Sequence, residues 1–396
     1  MSEATLQPVP LLDFSREYAA HREELLAALT AVADTQRLIL GPAVTAFEAH
    51  AAAALEVDHA IGCASGTDAL WLALAALEIG DEETTSTREK QAVVTTPFSF
   101  FATASSILRA GATPVFADID PLTFNLSPAS TAQAIERHHS AGGPTVAAIL
   151  PVHLYGQCAD MDAFATLAAQ HGAAIVEDAA QAWGARWNGA AAGTLGDLAA
   201  FSFYPTKNLA AMGDAGLVTT TDAALAERAT MLRAHGMRKR YFHDEVGWNS
   251  RIDSLQAAVL SVRLQYVEAG NARRRQIAAL YADLFNLAGI VGTDISEGIV
   301  LPYTDPRAEH VFHQFVIRAP RRDELRADLS AHSIGSEIYY PHPLHLQESL
   351  ATLGYKLGDF PESERAAAEV LALPIYPELR DDEAATVVEA IRHFYA

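Results

Sequence analysis

Residues 198–209 read LAAFSFYPTKNL, an apolar run with a lysine, Lys207, close behind it. A lysine ammonium is strongly hydrated, so an apolar setting costs free energy unless the amine has a partner or a use. The chain has only four lysines, and the other three, Lys90, Lys239 and Lys356, lie in polar or glycine-flanked segments typical of a solvated surface. Lys207 therefore needs a specific explanation.

Two interpretations of Lys207 are open. Its stem can pack on Phe203 and Tyr204 while the amine reaches water. Alternatively the amine has a chemical use, because an apolar setting lowers the pKa of a lysine and prepares it to form a Schiff base. The segments around Lys207 bear on this choice, since they define where the lysine lies in the fold.

Short β-rich runs alternate with helical patterns from about residue 59 to 236. Seven runs are predicted to be strands: HAIGCAS, QAVVTT, TPVFAD, VAAILPV, AAIVEDA, LAAFSF and GLVTTT. This alternation is typical of a parallel sheet covered by helices, and several runs are apolar throughout, as expected when both faces are buried. Ligands of such sheets bind at the carboxyl ends of the strands.

The pattern changes after residue 250 to a long helical segment, followed by the β-like run HVFHQFVIR and the helical run RDELRADLSAHS. We therefore predict an α/β protein with a large domain, 1–255, built on a mostly parallel, helix-covered sheet, and a smaller C-terminal α/β domain, 256–396. The polar stretch DEETTSTREK predicts a loop insertion at about 84–90, before the strand QAVVTT.

Composition narrows the class of function. Lys and Arg number 28 against 49 Asp and Glu, a net charge of −21 that repels nucleic acids and anionic membranes. No apolar run has the length of a membrane span and no secretory signal pattern is present, so we expect a cytoplasmic protein. The two cysteines, Cys63 and Cys158, have neither metal-ligand nor disulfide-framework spacing, so we expect no metal and two buried thiols.

A second chemical feature lies at Ser65-Gly66-Thr67, where a predicted strand ends and a helix begins. Glycine allows close backbone approach, and the free amides of a helix N-terminus attract anions, so this turn suits a phosphate group. An ordinary capped helix start is the alternative, because Ser and Thr are common N-cap residues.

A third feature is the strand AAIVEDA, which ends on Glu177 and Asp178. Side chains alternate along a strand, so only one of the two acids faces a ligand at the sheet edge. The alternative for Asp178 is a helix cap. Together, a phosphate cradle, a carboxylate at a strand end and a sheltered lysine are what pyridoxal phosphate requires.

Seven motifs of the chain occur in the order SGTDAL, TTPFSFFAT, PVHLYGQ, EDAAQAWGA, FSFYPTKNL, GWNSRIDSLQAAVL and YPHPLHLQ. With these motifs the sequence resembles the DegT/DnrJ/EryC1/StrS sugar aminotransferases, from about Pro10 to Leu379. The resemblance implies a fold type I architecture that depends on pyridoxal phosphate, and a homodimer with shared active sites. It also implies transfer of an amino group from L-glutamate to a 3- or 4-keto group of a nucleotide-linked sugar.

The resemblance further implies roles for individual residues. Lys207 would form the Schiff base and then move protons, and Asp178 would face the pyridinium nitrogen of the cofactor. The remaining cofactor contacts would be Gln181 to the phenolic oxygen, Phe100 stacked on the ring, Gly66, Thr67 and Ser202 at the phosphate, and Asn249 of the partner subunit. Glu177 is left with a scaffold role.

The substrate contacts follow from charge and position. A nucleotide diphosphate needs a local basic patch in this acidic chain, and Arg238, Lys239, Arg240 and Arg251 are candidates. A solvated loop is the alternative for this basic run. Tyr340 begins a proline-rich loop that is expected to border the sugar pocket.

Several alternatives stay open. His342 and His345 follow Tyr340 and are assigned no catalytic role. Trp183 stands where many relatives have histidine, which affects local substrate contacts.

Some relatives replace the Schiff-base lysine with histidine and catalyse dehydration, but this chain has Lys207. A non-catalytic homologue that binds the cofactor is the other alternative, and a nicotinamide-binding Gly-x-Gly-x-x-Gly motif is absent from the expected place.

Overall fold

The computed structural model describes residues 8–80 and 90–396. The helices are α1 (Phe14–Thr35), α2 (Pro42–Leu55), α3 (Gly66–Ala76), α4 (Ala102–Arg109), α5 (Pro128–Ser140), α6 (Met161–His171), α7 (Ala223–Leu232), α8 (Ser254–Arg263), α9 (Val267–Ala288), α10 (Arg322–Ala331), α11 (Pro361–Glu369) and α12 (Asp381–Tyr395). Most of the predicted insertion, residues 84–89, lies outside the described residues.

The strands are β1 (His59–Cys63), β2 (Gln91–Thr95), β3 (Thr113–Phe116), β4 (Thr145–Ile149), β5 (Ala174–Asp178), β6 (Arg186–Trp187), β7 (Ala190–Ala191), β8 (Leu198–Ser202), β9 (Gly216–Thr220), β10 (Met237–Lys239), β11 (Phe242–His243), β12 (Ala308–Glu309), β13 (Phe315–Arg318) and β14 (Val370–Leu373). Each of the seven predicted strand runs overlaps one strand of a single seven-stranded sheet, in the order β1-β9-β8-β5-β4-β2-β3.

The sheet is mostly parallel, as predicted, with one reversal. Strands β8, β5, β4, β2 and β3 pair in parallel. Strand β9, from the run GLVTTT, is antiparallel to both of its neighbours, β1 and β8. The carboxyl ends of β1, β5 and β8 therefore lie at the same edge of the sheet.

Helices cover both faces of this sheet. Helices α3, α4 and α7 share one apolar cluster with one face, and α2, α5 and α6 share a second cluster with the other. Neighbouring residues of one strand enter different clusters: Ile175 of β5 belongs to the second and Val176 to the first. Burial on both faces explains why the strand runs are apolar throughout.

A smaller α/β unit follows in the chain. Strands β13 and β14 form an antiparallel pair, α10 packs beside β14, and α12 packs on α10. The long helical segment predicted after residue 250 is broken between α8, which packs on α1 and α2, and α9, which packs on α12. The domain boundary at 255/256 stays a prediction.

The described residues contain neither a helix that could span a membrane nor a cluster of metal ligands. No helix in residues 8–80 and 90–396 combines the length and apolarity needed to span a bilayer. In the same ranges, no group of three or more His, Cys, Asp and Glu side chains is arranged to hold a metal ion. Cys63 and Cys158 are both buried and free, as expected.

Candidate active site

A cavity of about 770 Å³ opens at the carboxyl ends of β1, β5 and β8. Its polar lining includes Ser65, Gly66, Thr67, Ser99, Thr103, Asp178, Gln181, Ser202, Lys207, Asp214, His313, Gln314, Glu337 and Tyr340. The volume falls in the range of small-molecule sites. The three features that the sequence singled out, which are separate along the chain, therefore meet in one cavity.

Lys207 lies in the loop after β8, in a turn closed by a 2.8 Å hydrogen bond from its amide to the Tyr204 carbonyl oxygen. It is partly buried, whereas Lys90, Lys239 and Lys356 are exposed. Burial lowers the pKa of the Lys207 amine to about 8, and the Asp178 carboxylate opposes this shift. The amine lies beside the cavity, which favours the chemical interpretation of this lysine.

Asp178 ends β5 and is 4% exposed. Thr103 Oγ1 donates to its Oδ2 at 2.8 Å, and the Ala180 amide donates to its Oδ1 at 3.2 Å. Burial raises the pKa of the carboxyl group, while these two hydrogen bonds and Lys207 lower it. Residues 179–185 form turns and no helix follows, so the helix-cap alternative for Asp178 is wrong.

Glu177 points to the other side of the sheet edge. Its carboxylate accepts hydrogen bonds of 2.7 to 2.9 Å from three amides of the turn 193–196. It is also 2.9 Å from His153 Nε2, which carries the proton because His153 Nδ1 accepts from the Ala159 amide at 3.1 Å. Glu177 and His153 are fully buried. This acid holds a turn and does not line the cavity, which agrees with the scaffold role.

We predict that Glu177→Gln lowers the free energy of unfolding by about 3 kcal/mol, because the new amide group meets hydrogen-bond donors that then lack an acceptor. Urea unfolding followed by circular dichroism measures the change. Glu389→Gln is the matched control, since Glu389 is an exposed partner of Arg392 and its loss should cost less than about 1 kcal/mol. Equal stability of the two variants would contradict the assigned role of Glu177.

The predicted phosphate cradle is a tightly packed helix start. Ser65 caps α3, accepting from the Asp68 amide at 3.1 Å. A Cβ atom on Gly66 would lie 2.5 Å from Cβ of Ser202, so only glycine fits there. The Gly66 and Thr67 amides are in the first turn of α3, where no intrahelical acceptor exists. The turn therefore is a capped helix start and also offers free donors to an anion.

The remaining predicted cofactor contacts from the same chain also line the cavity. Gln181 Nε2 donates to the Tyr340 hydroxyl at 3.1 Å, and its Oε1 accepts from the Tyr155 amide at 2.6 Å. Phe100 is 59% exposed, and its ring centroid is 6.2 Å from that of Tyr340. Two aromatic rings and an amide therefore border the space next to Lys207 and Asp178.

Five predicted residues do not line the cavity of their own chain: Asn249, Arg238, Lys239, Arg240 and Arg251. The run 238–240 is exposed at the end of the short strand β10, and Arg238 lies 3.6 Å from Glu227 and 3.5 Å from Asp244. Of the predicted substrate residues, only Tyr340 is at the cavity.

Other side chains are structural. Trp183 is 6% exposed and packs on Phe201 and Phe203 at centroid distances of 5.3 and 5.6 Å, so it belongs to the core and makes no contact with the cavity. His345 is buried, with Nε2 3.0 Å from Glu364. His342 is exposed, and its Nε2 lies 2.8 Å from the Leu346 carbonyl oxygen.

Sequence reasoning missed several polar cavity residues, among them Thr103, Asp214, His313, Gln314 and Glu337. Thr103 lies within the motif TTPFSFFAT, which begins at the end of β2. Asp214 lies two residues before β9. Both residues are therefore near strand ends at the sheet edge. His313 and Glu337 come from the smaller α/β unit, where no local pattern indicated a site.

The side chains at the cavity fit pyridoxal phosphate. A buried carboxylate held by two donors suits a cationic ring nitrogen, the first-turn amides of α3 suit a phosphate, and a lysine with a lowered pKa suits an aldehyde. Each of these three groups is satisfied by a different part of the same cofactor.

Comparison with known proteins agrees with this fit. Residues 19–392 match the model of the DegT/DnrJ/EryC1/StrS aminotransferase family. The chain is 46% identical to the pleiotropic regulatory protein of Geobacillus stearothermophilus, over 98% of each chain. It is 43% identical to the dTDP-3-amino-3,4,6-trideoxy-alpha-D-glucose transaminase of Streptomyces venezuelae, over 99% of this chain and 98% of that one.

A third relative is the UDP-N-acetyl-3-dehydro-alpha-D-glucosamine 3-aminotransferase of Acidithiobacillus ferrooxidans, 41% identical over 97% of each chain. Among solved structures, S. venezuelae DesV in complex with a ketimine intermediate superposes with a TM-score of 0.90 at 43% identity, over 98% of each chain. The predicted fold type I architecture is thereby confirmed. The chain belongs to the DegT/DnrJ/EryC1/StrS aminotransferase family and is a pyridoxal-phosphate-dependent enzyme.

Proposed function

We propose that this protein transfers the amino group of L-glutamate to the C3 keto group of a nucleotide-linked sugar. The observation that carries the proposal is the meeting of Lys207, Asp178 and the start of α3 in one cavity of about 770 Å³. The choice of C3 is supported by two relatives whose names specify 3-amino or 3-dehydro sugars, one linked to dTDP and one to UDP.

The residues at the cavity divide the work of holding the cofactor. The amides of Gly66 and Thr67, with the Ser202 hydroxyl, would bind its phosphate. The Asp178 carboxylate, oriented by Thr103, would hold a positive charge on the ring nitrogen. Gln181 would bind the phenolic oxygen and Phe100 would cover one face of the ring. When bound, pyridoxal phosphate supplies an aldehyde that receives amino groups and a ring that withdraws electrons.

Lys207 has the properties of a proton carrier. Its Nζ has a pKa of about 8, so close to that pH the charged and uncharged forms are about equally populated. A group in this state can both take up and return a proton at Nζ without a large driving force. This role needs a lysine that is sheltered but in contact with the cavity, as observed.

The charge balance of the cavity supports a shared site in a homodimer. Among its lining residues in the described chain, Lys207 is the only Lys or Arg, whereas Asp178, Asp214 and Glu337 are acidic. A nucleotide diphosphate therefore needs cations from elsewhere. We assign this role to the run 238–240 of the partner subunit, together with Arg251 of the partner subunit, and we assign Asn249 of the partner subunit to the cofactor phosphate.

The surface around this basic run is consistent with such an interface. Tyr241 is 74% exposed, Phe242 is 60% exposed and Val246 is 81% exposed in the single chain. Clusters of exposed apolar side chains mark association surfaces. The proposed location of the protein is the cytoplasm, in keeping with two free, buried cysteines.

The proposal is tested by following the amino nitrogen of glutamate into the product. With [¹⁵N]glutamate and a dTDP- or UDP-linked 3-keto sugar, mass spectrometry should show the label in a nucleotide amino sugar, with one 2-oxoglutarate formed for each amine. The 4-keto isomer is the matched control for position and should react far more slowly. Loss of water from the sugar without consumption of glutamate would instead indicate the dehydratase alternative.

A further inference from the structure

His313 lies two residues before β13 and is 7% exposed, yet it lines the same cavity as Lys207. It comes from the smaller α/β unit, and no role described so far uses it. A buried imidazole in contact with a cavity presents at most two ring nitrogens, one as donor and one as acceptor when it is neutral. Which nitrogen faces a ligand as an acceptor depends on the tautomer.

A chain of side-chain amides sets the tautomer of His313. Asn271 Nδ2 donates to the Trp183 carbonyl oxygen at 3.0 Å, so its Oδ1 is the atom that accepts from Asn208 Nδ2 at 2.7 Å. Asn208 Nδ2 also donates to the Val311 carbonyl oxygen at 3.2 Å. The Asn208 Oδ1 is consequently left for His313 Nδ1, at 3.1 Å. An amide oxygen only accepts, so Nδ1 of His313 carries the proton.

The ring is also neutral. Burial holds the pKa of His313 well below its ordinary value, and the charges of Lys207 and Arg274 act in the same direction. Nδ1 is occupied by Asn208, so Nε2, with its lone pair, is the nitrogen available to a ligand in the cavity. His313 thus offers the cavity an acceptor and no donor.

The next residue offers a second acceptor. Gln314 lines the same cavity, and its buried Oε1 has no hydrogen-bond partner among the described residues. A buried acceptor without a donor is unfavourable, so a water molecule or a ligand donor completes it. Because His313 and Gln314 both offer acceptors to the cavity, they are complementary to a ligand that presents hydrogen-bond donors, and a sugar presents several hydroxyl groups.

We propose that His313 Nε2 and Gln314 Oε1 accept hydrogen bonds from hydroxyl groups of the acceptor sugar, and that Asn208 and Asn271 are positioning residues that fix the His313 tautomer. This inference rests on the proposed function, since it assigns a contact to the sugar. It accounts for a partly buried amide network that starts at the carbonyl of Trp183 and ends at the cavity.

The tautomer is tested without turnover. In holoenzyme labelled with ¹⁵N-histidine, the nitrogen resonances missing from His313→Asn identify His313. We expect the Nδ1–H form in the wild type and a mixture of tautomers in Asn208→Ala. An Nε2–H ring or a charged ring in the wild type would overturn the proposal.

The sugar contact is tested by binding. For each nucleotide, the dissociation constant of the free nucleotide divided by that of its sugar conjugate measures the contribution of the sugar. The two pairs are dTDP with dTDP-glucose, and UDP with UDP-N-acetylglucosamine. Asparagine retains a donor near the Nδ1 position but lacks the Nε2 acceptor, so His313→Asn should reduce this ratio about tenfold while affinity for the free nucleotide stays within about twofold. With substrate, KM for the sugar should rise, and the half-reaction with glutamate should keep its rate.

His342→Asn is the matched control, because His342 is exposed and outside the cavity, and it should leave the ratio unchanged. An equal loss of affinity for nucleotide and nucleotide sugar in His313→Asn would overturn this inference alone. Failure of the wild type to bind any of the four probes would count against the proposed function, and against this inference with it.

Discussion

Lys207→Ala should lower the rate of amino transfer by more than about a thousandfold, because the variant loses both the nucleophile that holds the cofactor and the group that moves the proton. Lys207→Arg should be almost as inactive. Its guanidinium keeps the positive charge, but its pKa is too high for it to give up a proton near neutral pH. Release of 2-oxoglutarate from glutamate measures the loss.

The covalent attachment is measured separately. Borohydride reduction of the wild-type holoenzyme followed by peptide mass spectrometry should place the cofactor on Lys207 alone. Lys356→Ala is the control, because Lys356 is an exposed lysine away from the cavity, and this variant should keep full activity. A modified lysine other than Lys207, or activity above about 1% in Lys207→Ala, would contradict the assignment.

Asp178→Asn should lower turnover by about 100-fold or more and weaken cofactor binding, because a neutral amide cannot stabilise a positive charge on the ring nitrogen. The fold should persist. Asparagine matches aspartate in size and can still accept from the Ala180 amide, while the Thr103 hydroxyl can rotate to accept from the new amide group. Fluorescence titration of the apoenzyme with pyridoxal phosphate gives the dissociation constant.

The neighbouring acid is an internal comparison for Asp178. Glu177 is adjacent in sequence but bonds the turn 193–196 and His153 on the other side. Glu177→Gln should therefore lose stability but bind the cofactor with near wild-type affinity in its folded fraction. If Glu177→Gln weakened cofactor binding as much as Asp178→Asn while remaining folded, the division of roles between these two acids would be wrong.

The sequence predicted the fold well where burial is complete. All seven strands of the main sheet were predicted, because strands buried on both faces form apolar runs bounded by turns. The reversal of β9 was not, since strand direction depends on how far the chain travels between strands. After β8 the chain returns through the Lys207 loop with no intervening helix, and this connection leaves β9 antiparallel.

The residues of the site also fall into two groups, those that the local sequence predicts and those that it does not. Lys207, Asp178 and the start of α3 were predictable because each lies at or soon after the carboxyl end of a strand, and the carboxyl ends of parallel strands meet at one edge. His313 and Glu337 reach that edge from a different part of the chain, after more than a hundred residues, through tertiary packing that no local pattern reports.

The central claim is that Lys207 and its surroundings hold pyridoxal phosphate in a form that reacts with glutamate. The most direct test is the visible absorption spectrum of the purified wild-type holoenzyme during titration with L-glutamate in the absence of a sugar. We predict a band from the cofactor linked to Lys207 that glutamate converts to the shorter-wavelength band of pyridoxamine phosphate. A protein that shows no such band after reconstitution, or a band that glutamate leaves unchanged, would contradict the account.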